Sequence, residues 1–568
     1  MLRGGLLGSL PIVLKPLRLK PFAAAAPPFV AGAVLRLWNL RDQILGGDET
    51  HALRAAVNST LSRILITYQP SDNCIPLTAL YKLFMLAGVP MTEMAFRLPV
   101  LLCGLAALLA LPAGLEGRVS HRTVLVYRWL IAISPALVLY SRIARSYMPM
   151  VLFSCGAVLA FEAWWRTRSW KSGGAYVLLG ALAVWFHLGA GPIVAAPFLF
   201  ATGEALVRRD RLWKDLRDLL LLGLALTGAF ALFLVPALES LREVVASKRI
   251  EQSIPWREVL AGVLRLQAGT AVGWLAGLFW LVAAAGLVLL ARSERRFALY
   301  TATVVVGHVA GLLILSPMGL ESPIIFGRYL LPVLPFVLVW VAAAFGGEGN
   351  RIFRGVAAGV LVGALLALGP FADPVDRRTS FLHHNDFVGF YRPRPVVPAA
   401  EVPELYRRLH GETVVEFPWL FIWEANHAFY LYQEIHRGRV IVSSPQRILY
   451  RSPLVLRNVV EPDPEAICGT DARYLIVHHN VSREEDGITP GGMLSDEELA
   501  PPLRRLLRDS AAALTVRAQE EWGRPVYADR WLKAWDLSAV CGHGAQRAAP
   551  AASASAATAS PATKLPGR

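Results

Sequence analysis

Charge is what this chain has least of. Asp, Glu, Lys and Arg make up 17% of its 568 residues, against 55% hydrophobic residues, where a soluble protein usually carries about a quarter charged. That balance argues against an ordinary soluble enzyme. Cysteine is also scarce. There are five, Cys74, Cys103, Cys155, Cys468 and Cys541, and none stands in Cys-x-x-Cys spacing, which argues against a cysteine zinc site. Cys103 and Cys155 fall in apolar segments and read as packing residues. Cys468 and Cys541 both lie in the C-terminal region and could pair if that region is outside the cytosol. There is no Walker Gly-Lys-Ser/Thr loop, no His-Glu-x-x-His and no Gly-x-Ser-x-Gly, which argues against an ATP-driven pump, a zincin protease and a typical lipase. No basic run is interleaved with aromatics, so the net charge of +15 does not point to nucleic acid. Internal repeats are absent too.

What is present is apolar sequence in blocks of membrane-crossing length. The mean hydropathy is +0.45, and up to about residue 370 the apolar residues fall in runs of roughly 17–25, the length that crosses about 30 Å of hydrocarbon. Residues 1–21 read as an uncleaved cytoplasmic segment, because Arg3, Lys15, Arg18 and Lys20 surround short apolar patches with no cleavage site. About eleven spans follow, near 22–39, 98–115, 123–140, 148–165, 174–187, 190–206, 218–237, 272–291, 298–316, 328–346 and 355–370. Residues 50–66 predict one amphipathic helix along the membrane surface, and 238–270 a long amphipathic loop.

Lys and Arg test this arrangement. With a cytoplasmic N-terminus, the basic loops at 118–122, 166–171, 208–217, 292–296 and 347–354 all fall inside, as the positive-inside rule requires. The loop at 141–147 breaks the rule, with Arg142 and Arg145 outside. An odd number of spans also places 371–542 outside. There, strand-like runs at 413–417, 439–442 and 473–477 alternate with helix-like runs near 423–436 and 497–515, the pattern of a small α/β domain. Residues 543–568, rich in Ala, Ser and Pro, read as a disordered tail. The expected fold class is therefore a polytopic α-helical membrane domain over 22–370 with a C-terminal extracytoplasmic α/β domain.

The chemistry centres on Asp48-Glu49, two carboxylates just past the first span. Acidic groups beside lipid are costly unless they face water or serve a site. One can take a proton from an attacking hydroxyl or amine, while its neighbour binds the acceptor, holds a metal or tunes its partner. The plainer reading makes Asp48 a helix cap and Glu49 a solvated neighbour. Arg142, Arg145 and Tyr147, and then Arg328 and Tyr329, suit a phosphate at the outer surface; the plainer reading is snorkelling to headgroups. His51, His187 and Arg97 are auxiliary candidates. His187 at a helix end also reads as a packed residue, and Glu93 and Arg97, at helical i,i+4 spacing, as partners of each other.

These motifs occur in an order that resembles a known family. An Asp-Glu pair after the first span is followed by Arg97-Leu98-Pro99, then by Tyr140-Ser141-Arg142-Ile143-Ala144-Arg145-Ser146-Tyr147, then by Gly327-Arg328-Tyr329-Leu330-Leu331-Pro332. Over about 22–346 the chain resembles the GT-C superfamily of membrane glycosyltransferases, in the branch of aminoarabinose transferases and protein O-mannosyltransferases (family 39-like). The resemblance implies inverting transfer of a sugar from a polyprenyl-phosphate donor to an envelope lipid, glycan or protein acceptor. It implies a multi-pass protein of the plasma (inner) membrane, with Asp48 as base, Glu49 as companion, and Arg145, Tyr147 and Arg328 at the donor phosphate. Asn73-Cys74-Ile75-Pro76 stands where many relatives carry His-Pro-Pro, which leaves a divalent metal open. A lipid or polymer transporter would instead bury charge near the midplane and show inverted repeats. A non-catalytic scaffold would have no use for the Asp-Glu pair.

Overall fold

The computed structural model describes residues 19–247, 255–371, 402–417, 432–441, 467–479 and 501–541, apart from 39, 42, 44–48, 50, 51, 54, 57, 58, 69–73, 90, 91, 271, 316–322, 348–350, 370, 434 and 530. Asp48, His51 and Asn73 therefore lie outside the described residues, as does the expected tail. The helices up to residue 371 are α1 (Leu19–Leu37), α2 (Leu61–Leu65), α3 (Ile75–Leu86), α4 (Glu93–Leu115), α5 (His121–Ile133), α6 (Pro135–Tyr140), α7 (Tyr147–Thr167), α8 (Trp170–Phe186), α9 (Gly191–Arg208), α10 (Leu212–Leu234), α11 (Leu238–Ser247), α12 (Trp256–Ala268), α13 (Gly273–Ser293), α14 (Arg295–Leu315), α15 (Pro323–Tyr329), α16 (Leu334–Gly346) and α17 (Arg351–Ala367).

Among the described residues, six helical segments are long and apolar enough to cross a bilayer: Glu93–Leu115, Tyr147–Thr167, Leu188–Arg208, Leu212–Glu243, Gly273–Ser293 and Arg295–Leu315. Four shorter apolar helices accompany them, at Ala25–Leu37, Ile75–Leu86, Leu331–Gly346 and Arg354–Ala367. Leu102, Leu109, Leu178, Leu220, Leu281 and Val306 face outward, as side chains in contact with lipid do. The chain is a mostly helical, multi-pass membrane protein.

Local sequence explains where the helices depart from the expected spans. Pro135 splits the run over 123–140 into α5 and α6, because it cannot donate to the helix. Pro332 and Pro335 split 328–346 in the same way, leaving a 3-10 turn at Leu331–Val333 between α15 and α16. The amphipathic stretch expected as one helix over 50–66 is broken at Ser59-Thr60, and Thr60 caps α2 by accepting from the Arg63 N–H. The stretch 238–270, expected as a loop, contributes helices α11 and α12. The second of these ends at Gly269, whose φ of 75° is a left-handed conformation suited to glycine; a Cβ there would also meet the Pro135 ring.

Hydrogen bonds tie the helices where lipid offers none. Tyr300 donates to the Val158 carbonyl at 2.6 Å, Tyr176 to Val194 at 2.7 Å and Trp340 to the Thr301 hydroxyl at 3.0 Å. At one end of the bundle, Glu162 holds Arg118 at 2.8 Å and Arg296 at 3.0 Å. Glu204 holds Arg296 at 3.1 Å, Arg208 at 2.7 Å and the Trp165 indole at 2.6 Å. This network joins the ends of α4, α7, α9 and α14. Arg97 and Arg118 sit near opposite ends of α4, whose 23 residues rise about 34 Å.

The described C-terminal residues form a five-stranded mixed sheet. Its strands are β1 (Val414–Phe417), β2 (Val440–Ile441), β3 (Tyr474–His478), β4 (Tyr527–Ala528) and β5 (Leu532–Asp536), in the order β2-β1-β3-β5-β4. β2, β1 and β3 are parallel, while β5 and β4 run antiparallel. Helix α18 (Glu404–Arg408) covers the face carrying Val414, Ile476 and Ala534, and α19 (Pro501–Trp522) covers the face carrying Val415, Leu475 and Trp535. Both faces are buried, which is why these strands read as continuous apolar runs. Cys468 and Cys541 form a disulfide across 73 residues, with a Cα–Cα distance of 5.5 Å.

The closest helix approach gives a first prediction. A Cβ on Gly286 of α13 would run into the Trp340 backbone of α16, and backbone cannot swing aside. Gly286→Ala should destabilise the folded protein by about 1–3 kcal/mol, read as a lower thermal-unfolding temperature in detergent. Gly277→Ala on the same helix, where a Cβ meets nothing within 4 Å, should leave that temperature unchanged.

Candidate functional site

Three arginines assemble the site by bonding backbone carbonyls at helix ends and in the loops between them. Arg36, near the end of α1, reaches across to the α5–α6 break. Its Nη2 donates to the Ile131 carbonyl at 3.2 Å, the group that Pro135 leaves without its i+4 donor. Its Nη1 donates to Ala132 at 3.0 Å and its Nε to the Ser141 hydroxyl at 3.1 Å. Arg142 returns the contact. It donates to the Leu35 and Arg36 carbonyls at the end of α1, both at 3.1 Å, and to the Gln43 side chain at 3.1 Å.

Arg97, in the second turn of α4, spends every arm of its guanidinium. Nη1 donates to the carbonyls of Leu40 at 3.1 Å and Gln43 at 2.7 Å. Nε and Nη2 grip the two oxygens of Glu49 at 2.9 and 2.8 Å. Glu49 is 0% exposed, and its Oε1 also accepts from the Ala144 N–H at 2.8 Å. Leu40, Gln43 and Glu49 are thereby fastened to α4, and Glu49 also to the 141–146 turn.

That turn leads into an aromatic group. Tyr147, the first residue of α7, lies 5.0 Å from the Tyr140 ring and 5.3 Å from the His187 ring. His187 in turn lies 5.1 Å from Tyr329. The Arg328 guanidinium sits 5.6 Å over the Tyr147 ring, within the range of a cation–π contact. Arg145, half-buried, stands in the same turn. The structure thus gathers Arg142, Arg145, Tyr147, His187, Arg328 and Tyr329 from three distant stretches of sequence.

Several expectations change. Glu93 and Arg97 do not pair with each other: Arg97 takes Glu49, and Glu93 takes Arg439 at 2.7 Å. Glu49 is a buried ion-pair partner, not a solvated neighbour. Arg142 is 0% exposed and holds α1 and Gln43, which is the work of a clasp and not of a phosphate ligand. His187 accepts from the Gly189 N–H on Nδ1 at 3.1 Å, so it shapes its own turn. Among the described residues, no group of three or more His, Cys, Asp or Glu is placed to hold a metal. Sequence reasoning missed Arg36 and Gln43, and also His308, whose Nε2 lies 2.9 Å from the Tyr329 carbonyl. The one signal was an arginine and a histidine inside apolar runs.

A second polar cluster lies in the C-terminal sheet. The Tyr406 hydroxyl donates to Glu416 at 2.8 Å, and His478 lies 2.8 Å from the same carboxylate. The Tyr432 ring stacks on Tyr406 at 4.0 Å. Nearby His436 is buried, and its Nδ1 accepts from the Gly438 N–H at 3.0 Å. Tyr406, Glu416 and His478 are enclosed and hydrogen-bonded to one another, as a structural network is.

Two predictions follow from this geometry. Breaking the Arg97–Glu49 pair leaves a buried charge uncompensated, so Glu49→Gln and Arg97→Leu should each destabilise the protein by about 3–5 kcal/mol. Replacing both with leucine should recover part of that loss, measured by thermal unfolding in detergent. His436 gives the pH dependence. Burial pushes its pKa down to about 4, against the weaker opposing field of Glu412. The unfolded chain takes up this proton near pH 6.5 and the folded one near 4, so stability is full above about pH 6.5 and falls towards pH 4, by about 3 kcal/mol. His436→Gln should remove that component from the unfolding temperature measured across the same pH range.

No family model and no curated protein matches the chain. It is similar to several solved structures. One is ArnT from Cupriavidus metallidurans, at 13% identity and a TM-score of 0.45, covering 92% of this chain and 99% of that one. A second structure of that protein, bound to undecaprenyl phosphate, gives 14% identity and 0.44, covering 90% and 98%. Another is the oligosaccharyltransferase AglB from Archaeoglobus fulgidus, at 12% and 0.42, covering 80% and 69%. The arabinofuranosyltransferase AftD from Mycobacteria gives 15% and 0.43, covering 92% of this chain and 40% of that one.

Proposed function

We infer that the protein is an inverting glycosyltransferase that moves a sugar from a polyprenyl-phosphate donor to an envelope lipid, glycan or protein acceptor. The observation that carries this reading is the lock of Glu49 onto Arg97 and the Ala144 N–H. It ties Glu49, the residue that follows Asp48 in sequence, to the turn bearing Arg145 and Tyr147, and Tyr147 underlies Arg328. Arg145 and Arg328, cations suited to a phosphate, thus stand at the end of the bundle where Glu49 is held.

In this reading Asp48 takes the proton from the acceptor hydroxyl or amine as its oxygen or nitrogen bonds to the anomeric carbon. The bond from that carbon to the phosphate oxygen breaks, with inversion, and the polyprenyl phosphate leaves with the electron pair. Arg145 and Arg328 stabilise the negative charge that grows on the phosphate. Glu49, Arg97 and Arg142 are positioning residues, a change from Glu49 and Arg142 as direct participants. Tyr329 and His187 wall the phosphate side through their ring contacts.

Two independent signals support an outer-face site. The disulfide of Cys468 and Cys541 suits an oxidising compartment, and its domain bonds through Arg439 to the Arg97 end of α4. The Arg118, Arg208 and Arg296 network occupies the other end, as the positive-inside rule asks of a cytoplasmic face. We assign 22–370 as the membrane catalytic domain and 371–542 as an extracytoplasmic domain that presents the acceptor, in a plasma (inner) membrane protein.

The test is sugar transfer by purified protein from a panel of radiolabelled polyprenyl-phosphate sugars, with membrane extract as acceptor. Asp48→Asn should lower the rate by at least about 100-fold while the unfolding temperature holds. Arg328→Gln should lower it by about 10²–10³-fold. Full activity in Asp48→Asn removes Asp48 as the base. Binding of a polyprenyl phosphate without transfer of any sugar would favour the transporter.

A further inference from the structure

The first two turns of α4 carry two carboxylate–arginine pairs that face different parts of the molecule. Glu93, in the first turn, is 6% exposed and receives both bonds of the Arg439 Nη2, at 2.9 and 2.7 Å. The Arg439 Nη1 binds both oxygens of Asp471 at 2.8 Å. Arg439 immediately precedes β2, and its carbonyl accepts from the Val414 N–H of β1 at 2.8 Å, so the guanidinium is anchored to the sheet. One helical turn after Glu93, Arg97 holds Glu49 and the carbonyls of Leu40 and Gln43.

Between the two pairs the helix is well braced. Thr92 caps it by accepting from the Ala95 N–H at 3.1 Å. Phe96 lies 4.2 Å from the Tyr81 ring, and Tyr81 donates to the Phe96 carbonyl at 2.8 Å. Residues four apart on a helix share a face and move together. A displacement of the first turn therefore displaces Arg97, and through it the Glu49 lock.

We propose that Arg439 is a positioning residue of the membrane site. By gripping Glu93, the C-terminal sheet sets the place of the first turns of α4, and with it the fit of Glu49 against Arg97 and the Ala144 N–H. The site is held together partly from outside the membrane domain. The consequence for sugar transfer rests on the function proposed above, whereas the mechanical coupling does not.

The Ala144 amide reports the coupling directly, because its hydrogen bond ends on Glu49. Hydrogen exchange of the full chain in detergent should show the peptide over 141–147 exchanging about tenfold faster in Arg439→Gln and in Glu93→Gln, with peptides of α13 and α14 unchanged. Asp471→Asn leaves the Arg439–Glu93 pair in place and should exchange at 141–147 as the wild type does, and Arg439→Lys should fall between. Unchanged exchange at 141–147 in Glu93→Gln, with the strands still protected, overturns the proposal, whatever Arg439→Gln does to the sheet. In the transfer assay the two Gln variants should lose about tenfold in kcat with KM for the donor within about twofold. If the wild type transfers nothing, the proposed function fails and the exchange result still decides the coupling. If it transfers and exchange is unmoved, the coupling alone fails.

Discussion

The site depends on one ion pair, Arg97 with Glu49, buried with both side chains at 0% exposure. A pair removed from water loses much of its attraction to the cost of desolvation, unless its remaining hydrogen-bonding positions are filled. Here they are filled by backbone. Arg97 takes two carbonyls from the loop after α1, and Glu49 takes an N–H from the turn before α7. The pair therefore compensates itself and also satisfies irregular chain that would otherwise bury bare carbonyls. It joins two segments from distant parts of the sequence, beside the bonds that Arg142 makes to Gln43 and to the end of α1.

Arg36 and Arg142 extend the same device. Each reaches a helix end belonging to another segment: Arg142 the carbonyls that finish α1, Arg36 the carbonyls exposed where Pro135 interrupts the run over 123–140. Cations near helix C-termini also face the negative end of the helix dipole. At the other end of the bundle the arrangement differs. Glu162 and Glu204 each serve more than one arginine, and Arg118 also donates to the Gly114 and Leu159 carbonyls. Carboxylates organise the arginines at that end, whereas at the Arg97 end backbone carbonyls of irregular chain take the larger share.

Much of this was legible in the sequence. The apolar blocks mark most of the helices, and the strands at Val414–Phe417, Val440–Ile441 and Tyr474–His478 stand where the β-branched runs are. Tyr147, His187 and Arg328 are notable in sequence and neighbours in space. Partner choice was not legible. Spacing pairs Glu93 with Arg97, because local rules see only four residues, yet each finds its carboxylate or guanidinium across a sequence separation of tens to hundreds. Arg142 looked like a phosphate ligand because an arginine beside a span carries no mark of whether carbonyls will claim it. Arg36 went unread because an apolar run hides how deep its one cation lies.

The arrangement separates two kinds of arginine. Arg36, Arg97 and Arg142 bond backbone carbonyls, and such bonds fix where the chain goes. Arg328 instead lies 5.6 Å over the Tyr147 ring, a cation–π contact. Such a contact helps orient the cation before an anion arrives. For a leaving group that gains charge as its bond breaks, such prior orientation is useful, because no reorganisation is then required in the transition state. The proposed division of labour follows from this: carbonyl-bound arginines build the frame, and the ring-bound one meets the phosphate.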